Sequence, residues 1–288
     1  MSTPAPDPCT MMKLSSIAYS LLPLIPGEVK KLGQEVVWGP AELGLIPSSA
    51  AYIAHDSGSG AYTVVIRGTD PASWSSWTGE DFDILPVQPF NQFVTNAPSG
   101  AMISAGTYDG LNDLLKLSYS GSGIAGFLQS KQPTLVYVTG HSLGGTLTPP
   151  LFAYLSAELP GVDMAPCSFA GLTPGNADFN DYFTGLFNAS GSWRYYNTLD
   201  FAPLCWGSSS GVQNIYTEWG LTYGKPESDL LDPLFQQAQT IPLEQPALGG
   251  APLQGTFDDS IIDKNIWTAQ ALHQHHHQTY QTLVCSGS

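Results

Sequence analysis

Apolar and polar positions along the chain alternate between two periods. Tyr62–Arg67, within AYTVVIRG, is a β-branched run stopped by Gly68. Val36–Trp38 and Ala50–His55 read as strands of the same kind, as do Ala165–Ala170 and Trp193–Leu199. Leu135–Val138, a short apolar run after Pro133, predicts a fully buried strand. Between these runs the spacing becomes helical. Ser104–Leu117 places Leu111, Leu114, Leu115 and Leu117 near one helix face, and Leu143–Leu159 reads as a helix. Pro149 and Pro150 lie inside the latter; each removes a backbone donor and crowds a carbonyl one turn back, so a kink or a late start is expected. Leu14–Leu22 predicts a short helix ended by Pro23, and a helix from about Asn265 to Val284 closes the chain. Strands alternating with helices predict an α/β fold, a mostly parallel central sheet with helices on both faces. From Trp206 to Asp263 the pattern weakens into Gly, Pro, Gln and short apolar pieces. Residues 206–263 read as an insertion within a single domain spanning 1–288.

Composition narrows the function. Apolar residues make up 42% of the chain, charged residues only 11%, and the net charge is −15. Seven Trp, 13 Tyr and 12 Phe exclude a disordered chain. Nine scattered Lys and Arg cannot build the basic face that nucleic-acid binding requires. An anionic membrane surface would repel such a protein, so contact with lipid must be hydrophobic. No run approaches the roughly 20 apolar residues of a membrane helix, and MSTPAPDPCT lacks the pattern of a signal peptide. The acidic, lysine-poor, Ser/Gly/Pro-rich composition leans toward an extracellular setting. Cys9, Cys167, Cys205 and Cys285 allow three pairings. Cys9 and Cys285 suit a clamp between the two ends. Cys167 and Cys205, at opposite ends of expected neighbouring strands, stand too far apart to join.

The chemistry concentrates in Thr134–Gly145, TLVYVTGHSLGG. It contains Gly-x-Ser-x-Gly, the sharp strand-to-helix turn that exposes a serine hydroxyl at its apex. Gly140 and Gly144 are needed because a Cβ would clash there, and the β-run before and helix after supply the required context. Ser142 is then the candidate nucleophile. The N–H of Leu143, at the helix start, is a candidate oxyanion donor. Arg67-Gly68-Thr69-Asp70 ends a strand with a glycine that permits close backbone approach. Thr69 can offer both its N–H and its hydroxyl as the second donor. In the following segment Trp74 and Trp77 stand three apart, with Ser73, Ser75 and Ser76 largely opposite. An amphipathic segment beside an oxyanion donor reads as a lid over residues 70–86.

These motifs resemble the class 3 lipase family. The likeness runs through SSIAYSLLPLIPG, VVIRGTD, EDFDILPV, SAGTYDGLNDLL, GHSLGG, CSFAGLTPGN and WRYYNTLDFAP, and reaches the histidine-rich C-terminus. It implies an α/β-hydrolase fold with a lid after the oxyanion strand, and a Ser-His-Asp triad in the chain order serine, acid, histidine. Asp200 stands at a strand's carboxyl edge in an N-x-x-D-x-x-P context with Asn197 and Pro203, whereas Asp178 and Asp181 fit helix-start positions. The base comes from ALHQHHHQTY. His55 precedes the serine, and His141 adjoins it facing elsewhere. An H-x-x-Y pattern selects His277 with Tyr280. A microbial pattern with Trp267, Gln274 and Tyr280 selects His275, which is preferred over His277 and His276. His273 and His277 stand four apart, yet no Asp or Cys is near them in sequence, so no metal is expected, and the reaction needs no cofactor. The resemblance implies a carboxylic ester hydrolase, a lipase acting on acylglycerols at a lipid–water interface. An esterase for soluble or aromatic esters and a phospholipase A1 would share the same residues. A non-catalytic lipid-binding relative would lack a triad member, and none is missing.

Overall fold

The structure, a computed structural model, describes residues 3–43, 49–69, 84–187, 191–225, 227–261 and 266–286. Seven strands form the main sheet, in the order Glu35–Leu43, Ser49–His55, Tyr62–Ile66, Leu135–His141, Asp163–Phe169, Arg194–Asn197 and Gly250–Leu253. The first two pairings are antiparallel and the remaining four parallel. A short second sheet pairs Leu243–Glu244, Gly175–Asn176, Met102–Ile103 and Gln88–Pro89.

Strand alternation explains the two covered faces. Val64, Ile66, Val136 and Val138 face one core with Leu111, Leu114, Leu147 and Leu151, on helices Ala105–Lys116 and Leu143–Glu158. Val65, Leu135, Tyr137 and Phe169 face the other, with Met12 and Leu14 on helix Pro8–Ile17 and Tyr280 and Val284 on helix His277–Cys285. A strand buried on both sides must be apolar at nearly every position, which is why these strands read so clearly. Register then aligns their ends: Ile66 lies opposite Gly140, His141 opposite Phe169, and Phe169 opposite Tyr195. The segments after them therefore leave the sheet along one edge.

Four expectations change. The first helix spans Pro8–Ile17, earlier than its apolar run suggested, because Asp7 caps it, accepting from the Thr10 N–H at 2.8 Å, and Pro8 suits its first position. Pro23 opens a 3₁₀ turn, Leu22–Leu24, before helix Ile25–Lys31. Leu143–Glu158 is helical from its first expected residue and runs through Pro149 and Pro150, so the late start does not occur. The carbonyl that Pro149 cannot serve, that of Gly145, accepts instead from the Ser168 hydroxyl on the adjoining strand at 2.8 Å. The expected C-terminal helix is two helices, Trp267–His275 and His277–Cys285, divided where His276 is extended at φ −64°, ψ 137°. Within residues 206–263, helices Ser209–Asn214 and Glu227–Ala238 precede Gly250–Leu253, the last strand of the main sheet. This segment thus contributes to the central architecture.

Cys9 and Cys285 form a disulfide between the first and last helices, while Cys167 and Cys205 are buried free thiols. The bridge closes a loop of sequence separation 276, for which chain entropy gives about 5.6 kcal/mol of stabilisation. Cys9→Ser with Cys285→Ser should lower Tm by roughly 10 °C, measured by calorimetry. An unchanged Tm would show that helix packing alone holds the two ends.

Candidate active site

Ser142 sits where strand Leu135–His141 turns into helix Leu143–Glu158, at φ 61° and ψ −125°. Such a backbone is costly for a residue with a Cβ and persists only when neighbours enforce it. The neighbours are close: a Cβ on Gly140 would strike the Gly144 backbone, and one on Gly144 would strike the Ile66 carbonyl. The Ser142 N–H donates to the Phe169 carbonyl at 3.0 Å, pinning the turn to the next strand.

The structure brings Ser142, His275 and Asp200 together. The Ser142 hydroxyl lies 2.7 Å from His275 Nε2, and His275 Nδ1 lies 2.8 Å from Asp200 Oδ2. All three residues are about 1% exposed. A carboxylate only accepts, so Nδ1 carries the proton, leaving Nε2 of the neutral ring to accept from the serine. Asp200 also accepts from the Ala202 N–H on Oδ1 at 2.9 Å and from the Tyr280 hydroxyl on Oδ2 at 2.6 Å. Burial, and then the Asp200 charge, push the Tyr280 phenol well above its ordinary pKa, so it stays a donor. Burial and the same charge push up the Tyr216 phenol and the Cys205 thiol.

The other histidines have different partners. His277 Nδ1 lies 2.6 Å from the Ser16 hydroxyl, and its ring stacks on Tyr19 at 4.7 Å. His276 is the N-cap of the last helix, its Nδ1 accepting from the Gln278 N–H at 3.2 Å. His273 faces Asp258 at 3.6 Å. His55 pairs with Tyr62, at the sheet edge opposite Ile66 and Gly140. His141 is buried beneath the site, its ring 5.1 Å from that of His275. Burial, with His275 and His277 nearby, holds its pKa well below the ordinary value, so it is neutral. Its Nδ1 lies 2.9 Å from the Tyr19 hydroxyl. Tyr19, between the first helix and the 3₁₀ turn, is the residue beside the site that sequence reasoning did not single out; nothing in SSIAYSLL marks it.

Thr69 follows strand Tyr62–Ile66 along the edge that carries Ser142. Its hydroxyl is buried with no hydrogen-bond partner among the described residues, as a donor held for a ligand would be. Leu143 is the first residue of its helix, so its N–H has no partner within it. Asp178 and Asp181 lie on helix Ala177–Thr184, capped by Asn176. Of the expected lid, residues 70–83, including Trp74 and Trp77, lie outside the described residues. Ile84, next in the chain, is buried in an apolar cluster with Leu199, Phe201 and Trp267.

A buried serine, histidine and aspartate joined in series can activate the serine oxygen and store its proton. Residues 63–208 match the family model for lipase, class 3. The crystal structure of M37 lipase is similar, with 27% identity and a TM-score of 0.79 over 96% of this chain and 90% of that one. A triacylglycerol lipase from Penicillium expansum shares the fold at 21% identity and a TM-score of 0.53, over 73% of this chain and 77% of that one. A Yarrowia lipolytica lipase does so at 21% identity and a TM-score of 0.55, over 67% of this chain and 72% of that one. Comparison with curated proteins finds no match.

Proposed function

Since the chain belongs to the class 3 lipase family, we propose that it is a triacylglycerol lipase working through an acyl-enzyme on Ser142. The observation that carries this reading is the pair of bonds, 2.7 and 2.8 Å, that links Ser142 through His275 to Asp200. Ser142 attacks the ester carbonyl while His275 Nε2 takes its proton. Asp200 holds the ring in the productive tautomer and stabilises the imidazolium. The Thr69 N–H and hydroxyl and the Leu143 N–H receive the oxyanion, each donor contributing about 3 kcal/mol. The Thr69 hydroxyl, buried without a partner among the described residues, supports that assignment. His275 then protonates the departing alcohol, and water repeats the sequence on the acyl-enzyme.

The partner is an ester at a lipid–water interface, and we place the lid in residues 70–86 of one domain spanning 1–288. The Cys9–Cys285 disulfide supports an oxidising, extracellular setting. The test is a pH-stat assay on emulsified triacylglycerol beside a dissolved p-nitrophenyl ester. A lipase releases fatty acid from the emulsion. Turnover of the dissolved ester alone would make the protein an esterase with the same machinery.

A further inference from the structure

Building on the triad reading, we propose that Asn197 and Gln274 are a positioning pair that sets the distance between the acid and the base. Asn197 stands three residues before Asp200, and Gln274 immediately before His275. Both side chains are buried, 1% and 0% exposed. Asn197 Nδ2 donates to Gln274 Oε1 at 2.8 Å and to the Gln274 carbonyl at 2.9 Å. Asn197 Oδ1 accepts from the Leu199 N–H at 3.0 Å. Gln274 Nε2 donates to the Thr256 carbonyl at 2.8 Å. One amide therefore holds the acid's loop through its oxygen and the base's helix through its nitrogen. The Asn197 main chain adds a third link, its N–H donating at 2.9 Å to the Tyr280 hydroxyl that in turn donates to Asp200.

The break at His276 shows what this link does. His275 and Tyr280 both reach Asp200 Oδ2. In an unbroken helix residues five apart point about 140° apart and could not converge on one oxygen. Ending the first helix at His275 solves this but strands buried carbonyls in its last turn. Asn197 meets the carbonyl of Gln274 and fixes its side chain as well, so the amide that terminates the helix also aims its last residue. An aspartate at 197 would set oxygens against both acceptors, and a glutamine would be one methylene too long.

The test uses the full chain with Asn197→Ala, Gln274→Ala, the double variant and Gln274→Met, which keeps the side chain's length without its polar atoms. Rates on a dissolved p-nitrophenyl ester are taken per phosphonate-reactive site, with Tm measured alongside. Asn197→Ala should lose about a hundredfold in kcat with KM unchanged, because misplacing the dyad by about 1 Å costs on that order. The double variant should lose no more than the worse single one, because the two act through one bond. Gln274→Met, with only the main-chain acceptor left, should lose several-fold in kcat; it decides the matter if Asn197→Ala does not fold. Wild-type kcat per site, with losses confined to Tm, would overturn the pair. Ser142→Ala separates the two readings. If it still hydrolyses ester, the triad itself is wrong. If it is inactive while Asn197→Ala and Gln274→Met turn over normally, only the positioning pair falls.

Discussion

Ser142→Ala should lower kcat on both emulsified triacylglycerol and dissolved esters by about 10⁴- to 10⁶-fold. His275 and Asp200 would remain in place but have no oxygen to activate. The trace that persists would come from substrate binding and the oxyanion donors, which alone give about 10³- to 10⁴-fold over water in a comparable hydrolase. The fold should survive. Alanine has the same Cβ, the backbone at φ 61° is held by the Gly144 and Phe169 contacts, and the serine hydroxyl's bond is to His275 alone among those described. Far-ultraviolet circular dichroism and Tm should match the parent, and a fluorophosphonate should no longer add its mass. Hydrolysis retained on both substrates by a folded variant would remove Ser142 from the chemistry.

His275→Ala should cost a similar factor, and its neighbours little. Without the imidazole, nothing within reach among the described residues takes the serine proton, and of the described partners the Asp200 carboxylate keeps Ala202 and Tyr280. His276→Ala gives up a helix cap, about 1 kcal/mol. His277→Ala gives up the Ser16 bond and the stack on Tyr19, so it should lower Tm by a few degrees while most of kcat remains. The three variants, assayed side by side at saturating substrate, separate a base from a structural histidine. Loss of turnover in His277→Ala, with His275→Ala active, would reverse the assignment.

The parts of this molecule legible in its sequence are those whose physics is local. Val64, Val65 and Ile66 declare a strand because both of its faces are buried. Gly140 and Gly144 declare the elbow because a tight turn excludes their Cβ atoms. The illegible parts depend on partners far along the chain. Pro149 and Pro150 read as a kink or a late start because the Ser168 hydroxyl that serves the Gly145 carbonyl in place of Pro149 lies on another strand. Gly250–Leu253 carries both glycine and proline, which argue against a strand, and its place at the sheet's edge is what tolerates Pro252. The division at His276 left no local sign, because the flanking residues follow helical spacing and the amide that meets the break is 77 positions away. For the site, residue types and chain order led to Ser142 and Asp200, whereas the histidine was narrowed by pattern and only the fold sets one ring against the other two residues. Tyr19 was invisible for the same reason: it reaches the elbow through 122 positions of intervening chain.

The bridge between Cys9 and Cys285 also alters what a protease can do. Everything between those two cysteines is a covalent ring. A ring must be cut twice to release a fragment. A single cleavage in an exposed turn such as Thr217–Gly220, between Asp200 and His275, therefore leaves Ser142, Asp200 and His275 on one covalent molecule, and that molecule separates into two chains only when the disulfide is reduced.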